Sequence, residues 1–436
     1  MEKIAFFMNS NEVGGNKVML NVDGCSIWLD FGLSLKQISR YFNYVLEGRQ
    51  LSKIDLKKLA EKELIPSIST LEERVKIVVS HAHLDHYGGI IPLLHHGIKV
   101  ELYAPEDTLK LIKARLSQNI SVSLLENIAF YPLHVNTSTK INDCVRIVPI
   151  EVDHSIDASY SYILFTDNHT LFYTGDIRFD YVKIRDIIDS VKKHTESIDY
   201  MLTEFTGVLR RSILHEQDIE NVLKDILVDA QGLIVIFTTG TYSRRFSVFK
   251  HIAEYLERDV VIYSSLAYLL YALGKVNLVD YIWISKKKQR MPSWEKELLK
   301  NVGYDRIINE DYIKDKSNQK SLILIMPPLH KLKLDFELEP GGIAITSLSE
   351  PFDEEGFISQ RRLENFILDW LEFPVYHVHA SGHAAANEIR KLVLGLNPRK
   401  GVYVFHSPAP EVFTRMVPFL RNIETRISFS QEFILR

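Results

Sequence analysis

His81–Gly89 reads HAHLDHYGG, and it follows the apolar run VKIVV (Val75–Val79) almost directly. A short unbroken apolar run predicts a buried strand, so the histidines fall in the loop at a strand end, where binding and catalytic groups concentrate. His81 and His83 are two positions apart and can turn toward one cation. Asp85 and His86 lie past that turn and can serve a second cation close by. Neutral imidazole and carboxylate suit zinc, and two metals about 3.5–4 Å apart make a hydrolytic centre. A surface loop that is merely rich in histidine is the alternative, and four ligand-type residues at these spacings speak against it.

Two metals need further ligands, and the remaining histidines and carboxylates at strand ends are where to look. His154 follows VRIVPIEV (Val145–Val152) and is placed to complete the metal held by His81 and His83. Asp176 ends the strand LFYT after Gly175, which lets the backbone come close, and a carboxylate there can bridge both metals. Each residue taken alone reads first as a structural histidine or a turn aspartate, and it is their order after the loop that points to metal.

The bulk properties bound the class. A chain of 436 residues with 46% hydrophobic and 25% charged residues is an ordinary globular protein, long enough for two domains. A net charge of −4 does not announce a nucleic-acid binder. Local basic clusters at Arg210–Arg211, Arg244–Arg245 and SKKKQR (Ser285–Arg290) read first as solvated faces. Cys25 and Cys144 are the only cysteines, which makes no disulfide framework and fits a reducing cytoplasm. The apolar stretch near the N-terminus is too short for a signal peptide, and VVIYSSLAYLLYAL (Val260–Leu273) reads as a strand followed by a helix. No membrane role is expected, and an oligomer is possible without being indicated.

Along the chain, short strands and turns fill the first 80 or so residues, with polar helix-like sequence around Tyr41–Lys62. After the histidine loop, helix-like PLLHHGI and APEDTLKLIKARLS flank the strand VELYA, and strands resume from Val145 to Asp176. Beyond Gly207 the apolar runs LIVIFTTG, DVVIYSS, KSLILIMPP and GGIAITSL, with helical patterns between the earlier ones, predict a parallel, Rossmann-like sheet with helices on both faces. From Phe366 a helix-like ILDWLE, a strand FPVYHVHA, a helix AAANEIRKLVLGL and a strand GVYVFH resemble the first region again. The expected organisation is therefore a first domain in two pieces, 1–207 and 366–436, with 208–365 inserted.

In order, HAHLDH, His154, TGD at Asp176 and the upstream LDFG at Asp30 resemble the motif series of the metallo-β-lactamase superfamily. That resemblance implies an α/β fold, an αββα sandwich with two metals at one edge, and an Asp30 that orients the metal loop without binding metal. The second half narrows it. Glu204 in MLTEFTG, His383 in VHASGHAAANE and His406 in YVFHSPAP resemble the three motifs of the β-CASP nucleases, whose domain is inserted into the lactamase fold. HASGH (His379–His383) and NEVGGNKVML resemble the RNase J branch most. FHSPAP stands where HGE or HTE is more usual, and Phe205 where a Ser or Thr usually follows the acid. RNase J proteins continue into a linker and a C-terminal domain that supports their dimer, and the expectation here is a chain without them.

The resemblance implies two zinc ions, with manganese as an alternative: His81, His83 and His154 on the first, Asp85, His86 and His406 on the second, and Asp176 bridging. A metal-activated hydroxide would attack an RNA phosphodiester. His383 would protonate the leaving 3′ oxygen, with Glu204 accepting its other N–H. His379, Ser381 and Gly382, before a helix expected from Ala384, would hold a 5′ monophosphate, and Arg244 and Arg245 would contact RNA backbone. A plain helix cap by Ser381 is the competing local reading. The expected activity is a ribonuclease acting endonucleolytically, 5′-to-3′ exonucleolytically, or both, on single-stranded RNA. A β-CASP DNA nuclease and a non-catalytic β-CASP scaffold are the alternatives.

Overall fold

In the computed structural model, the strands that precede His154, Asp176 and His406 end at the same edge of one sheet. The structure describes residues 1–41, 54–210, 214–239, 242–286, 291–349, 351, 354–420 and 422–436. It divides into one unit of residues 1–213 and 382–436 and a second of residues 214–381.

The first unit holds two seven-stranded sheets. One runs, in spatial order, Gln431–Ile434, Glu2–Phe6, Lys17–Val22, Cys25–Phe31, Arg74–Val78, Lys99–Pro105 and Ile128–Leu133. Its first strands pair antiparallel, joined in one case by the tight turn Asp23–Gly24, where both residues have positive φ as that hairpin turn requires. Its last four strands pair parallel, linked by helices such as Ile90–His95 and Glu106–Asn119. The other sheet runs Ile423–Glu424, Gly401–Phe405, Tyr200–Glu204, Thr170–Tyr173, Ser159–Phe165, Arg146–Val152 and Thr139–Lys140.

Ile4, Phe6, Leu20, Ile27 and Val78 of one sheet and Tyr162, Leu164, Tyr173, Leu202 and Phe405 of the other share one buried core. The outer face of the second sheet buries a separate cluster against the helices Ile184–Lys192 and Ala386–Leu396. The layers are those of a metallo-β-lactamase αββα sandwich. Thr170–Tyr173, Tyr200–Glu204 and Gly401–Phe405 are mutually parallel, and two antiparallel steps give Arg146–Val152 the same direction. Their C-terminal ends therefore deliver His154, Asp176, Glu204 and His406 to one edge.

The second unit is one seven-stranded sheet, ordered Ile307–Ile308, Tyr281–Trp283, Asp259–Tyr263, Leu322–Met326, Ile234–Phe237, Ile343–Thr346, Val375–His377, and every pairing in it is parallel. The near-continuous apolar runs read in the sequence are these strands, buried on both faces.

Three expectations are corrected. The chain re-enters the first unit at Gly382, not Phe366, because Val375–His377 hydrogen-bonds alongside Ile343–Thr346 and extends the second unit's sheet. ILDWLE is not a helix of its own; Phe366–Trp370 is a π-helical turn that continues the helix Glu354–Asn365. Cys25 and Cys144 are not left apart: they are disulfide-bonded, with Cα atoms 6.3 Å apart across 119 positions of sequence. Of the helix-like stretch Tyr41–Lys62, Leu56–Glu61 is a helix and residues 42–53 lie outside the described residues. Arg211 and most of SKKKQR, residues 287–290, lie outside them as well.

Candidate metal centre

The strand Arg74–Val78 enters a tight loop in which His81 is fully buried, and the short helix Leu84–Tyr87 presents Asp85 and His86 from its first turns. His81 Nε2 lies 3.0 Å from His83 Nδ1, and His154 Nε2 lies 3.1 Å from the same atom. These separations approach the about 3.3 Å edge of a tetrahedron built on zinc–nitrogen bonds of about 2.0–2.1 Å. Asp85, His86, Asp176 and His406 form the neighbouring group of possible ligands. His86 Nε2 is 3.1 Å from Asp176 Oδ2, and His406 Nε2 is 3.5 Å from Asp85 Oδ2 and 3.7 Å from Asp176 Oδ2. Asp176 Oδ2 is also 3.9 Å from His81 Nε2 and 3.8 Å from His154 Nε2, so one carboxylate oxygen lies between both groups.

The outward ring nitrogens of His81, His86, His154 and His406 are occupied, which fixes which nitrogen of each points inward. His86 Nδ1 donates to Asp30 Oδ2 at 2.7 Å, and His81 Nδ1 is 3.0 Å from Ser80 Oγ. His154 Nδ1 donates to the Gly382 carbonyl at 2.5 Å, and His406 Nδ1 donates to Thr206 Oγ1 at 2.7 Å. Asp30 is itself held by Ser80 N–H, Ser80 Oγ and the Tyr173 hydroxyl, at 2.7, 2.8 and 2.6 Å. It sits in the left-handed region, at φ 55°, as does His406 at φ 49°.

The electrostatics agree with a site built for cations. Burial, with His86, His154 and His83 as neighbours, holds His81 well below the usual imidazole range. Burial likewise pushes His83 down to about 3, so both rings are neutral, as metal binding requires. Asp176 is held well below the usual carboxylate range: burial opposes its charge, and His406, His86 and His383 outweigh burial. Its Oδ1 is buried with no hydrogen-bond partner. An orphaned carboxylate oxygen among five inward-facing ring nitrogens fits a pair of divalent metals. Asp30→Ala is expected to weaken metal binding about 10–100-fold by freeing the His86 ring; a zinc titration of the purified variant checks it.

Beside this cluster, His383 Nδ1 lies 3.1 Å from each carboxylate oxygen of Glu204 and 3.9 Å from Asp176 Oδ2. Burial works against its charge, but Glu204 and Asp176 outweigh it and hold the imidazole at about 9. Glu204 is fixed in turn by the Ile177 and Thr206 N–H groups, both at 3.0 Å. Arg210 donates to the His383 carbonyl at 3.3 Å, giving one arginine of a presumed surface cluster a place in the site.

Residues 56–223 match the beta-lactamase superfamily domain. The chain is 26% identical to Ribonuclease J of Methanocaldococcus jannaschii over 406 residues, 89% of this chain and 87% of that protein. It is 22% identical to Ribonuclease J of Pyrococcus abyssi over 413 residues, 91% of this chain and 88% of that one. A crystal structure of a protein of unknown function from Enterococcus faecalis V583 superposes over 100% of both chains with a TM-score of 0.74 at 18% identity, a likeness of fold alone.

The matched range 56–223 contains His81, His83, Asp85, His86, His154, Asp176 and Glu204, while His383 and His406 reach the same cluster from the end of the chain. The expected substrate residues fare less evenly. The helix after HASGH begins at Ala386, not Ala384: Ala385 is extended, at φ −68° and ψ 154°, and caps the helix with its N–H donating to Glu388 Oε2 at 2.8 Å. Ser381 is therefore no cap of that helix, and Gly382 contributes its carbonyl, which orients His154. His379 and Ser381, half-buried, end the second unit. Arg244 is half-buried in the first turn of the helix Ser243–Tyr255. Arg245 is buried, bonded to Glu216 at 2.7 and 2.5 Å and to Ser347, which leaves it no role on phosphate. Arg245→Met is expected to destabilise the protein by about 3–5 kcal/mol by stranding Glu216, with RNA affinity per folded molecule unchanged; denaturant unfolding and a binding titration separate the two effects.

Ser80, Thr206 and Tyr173 were missed in the sequence. Ser80 and Thr206 orient the rings of His81 and His406 and Tyr173 holds Asp30, and a hydroxyl beside a strand end carries no periodic or spacing signal.

Proposed function

We propose that this protein is a metal-dependent ribonuclease of the RNase J type, with two zinc ions as its resident metals and manganese as a substitute. The observation that carries the reading is Asp176 Oδ2, within 3.9 Å of inward-facing nitrogens from both ligand groups and of His383. Two of its curated relatives bear the name Ribonuclease J and match about nine-tenths of this chain. When bound, such a metal pair supplies a water acidified to a pKa of about 7 and neutralises charge on a phosphodiester.

His81, His83 and His154 would hold one metal; Asp85, His86 and His406 the other; Asp176 both. Asp30, Ser80, Thr206 and the Gly382 carbonyl keep the ring nitrogens aimed inward. Glu204 holds His383 Nδ1 and orients the ring, and Nε2 would deliver a proton to the leaving 3′ oxygen. A residue held at about 9 is protonated at neutral pH, as an acid must be. We assign residues 214–381 the part of the β-CASP domain, with His379, Ser381 and Arg244 as contacts for single-stranded RNA. The same reading places the protein in the cytoplasm, and recovery in a secreted or membrane fraction would contradict that part.

Incubation with 5′-monophosphate, 5′-triphosphate and 5′-hydroxyl RNA and with matched DNA, in zinc or manganese, tests the substrate. Cleavage of RNA with a preference for the 5′ monophosphate is expected. Cleavage of DNA alone would favour the DNA-nuclease alternative, and no cleavage of any substrate would favour the scaffold.

A further inference from the structure

Lys17 is a fully buried lysine that none of the chemistry above uses. It opens the strand Lys17–Val22, and its Nζ donates to the carbonyls of Gly15 and Gly32, at 2.8 and 3.0 Å. Burial pushes the ammonium down to about 7, against the pull of the Glu12 carboxylate. Glu12 is itself occupied by Gln37 Nε2 at 2.6 Å and Ser34 Oγ at 3.4 Å. A cation costs free energy in such a place, and a methionine would fill the volume without that cost.

The two peptide groups that Lys17 holds explain what it does. In a planar trans peptide the C=O and the following N–H point in opposite directions, so fixing one edge fixes the other. The peptide of Gly15–Asn16 offers its carbonyl to Lys17 and its N–H to the Asp85 carbonyl, at 3.0 Å. The peptide of Gly32–Leu33 offers its carbonyl to Lys17 and its N–H toward the Leu84 carbonyl, at 3.4 Å. Gly15 N–H adds a second bond to the Asp85 carbonyl at 3.1 Å, and Gly32 N–H donates to Asn16 at 2.8 Å, tying the two loops together. The fit is tight: a Cβ on Gly32 would lie 1.5 Å from the Asp85 carbonyl oxygen, and one on Gly14 would lie 2.7 Å from Asp85 Oδ2.

We propose that Lys17 is a positioning residue for the second metal. Its one ammonium clamps two peptide planes whose far edges grip the first residues of the helix Leu84–Tyr87, and so sets where Asp85 and His86 stand. The inference rests on the two-metal reading.

Lys17→Met keeps the volume and removes the donors. Stripped of metal and titrated with cobalt(II), followed by visible absorption and by metal analysis, the wild type is expected to bind two equivalents. In the variant the first equivalent binds as in the wild type and the second about 10–100-fold more weakly. Two equivalents at wild-type affinity in the variant, even with a lowered melting temperature, would make Lys17 purely structural and overturn the proposal. If Lys17→Met does not fold, Lys17→Gln, which retains an amide donor, is expected to show a smaller loss confined to the second equivalent; an equal loss at both would overturn it. A wild type that binds fewer than two equivalents fails the two-metal reading itself, whatever the variants do.

Discussion

Asp176→Asn is expected to lower RNA cleavage by about 10⁴-fold or more, equivalent to about 5 kcal/mol of transition-state stabilisation. The change is isosteric, so the fold is expected to survive it. What it removes is the negative charge of the one oxygen that lies 3.1–3.9 Å from His86, His406, His154 and His81. A carboxamide is a poor bridging ligand, so the variant is expected to lose affinity at both sites rather than one. Metal content after dialysis against buffered zinc, measured beside the cleavage rate, checks both halves of the expectation. Retention of two metals with an unchanged rate would exclude Asp176 as the bridge.

The second large effect belongs to His383. His383→Ala is expected to reduce kcat by about 10²–10⁴-fold while metal content stays at the wild-type value, the signature of a lost acid and not of a lost ligand. The pH dependence has a definite sign. An acid must be protonated to act, so the limb that it governs falls as pH rises through its folded-state value of about 9. That value is high although burial opposes the charge, because Glu204 and Asp176 stand beside the ring. Glu204→Gln removes the nearer of these charges and is expected to move the limb toward lower pH without changing metal content. Rates of single-turnover cleavage across pH 6 to about 10 read this directly. A His383→Ala variant that loses a metal instead would make His383 a ligand, and its acid role would fall.

How much of this was legible beforehand follows from the physics of each feature. The ligands of the first loop are local, so their spacing alone exposed them. His154, Asp176 and His406 are far apart in sequence but share one property, a place just beyond a strand. Parallel strands bring those places to one edge. The second unit's sheet was readable because strands buried on both faces are apolar throughout. Its last strand, Val375–His377, was assigned to the wrong unit: an edge strand with exposed Tyr376 and His377 carries no burial pattern that tells one sheet from another. Arg245 looked like a phosphate ligand because a basic pair at a helix start reads the same whether it faces solvent or a buried Glu216. Lys17 was invisible for a related reason. Its partners are backbone carbonyls, and nothing in the side-chain sequence announces them.

Metal reconstitution of RNA cleavage tests most directly whether two metals act together at Asp176. Protein stripped of metal is expected to leave 5′-monophosphate RNA intact and to regain cleavage only as the second equivalent of zinc or manganese is added. Full cleavage by metal-free protein, or none with both equivalents bound, would contradict it.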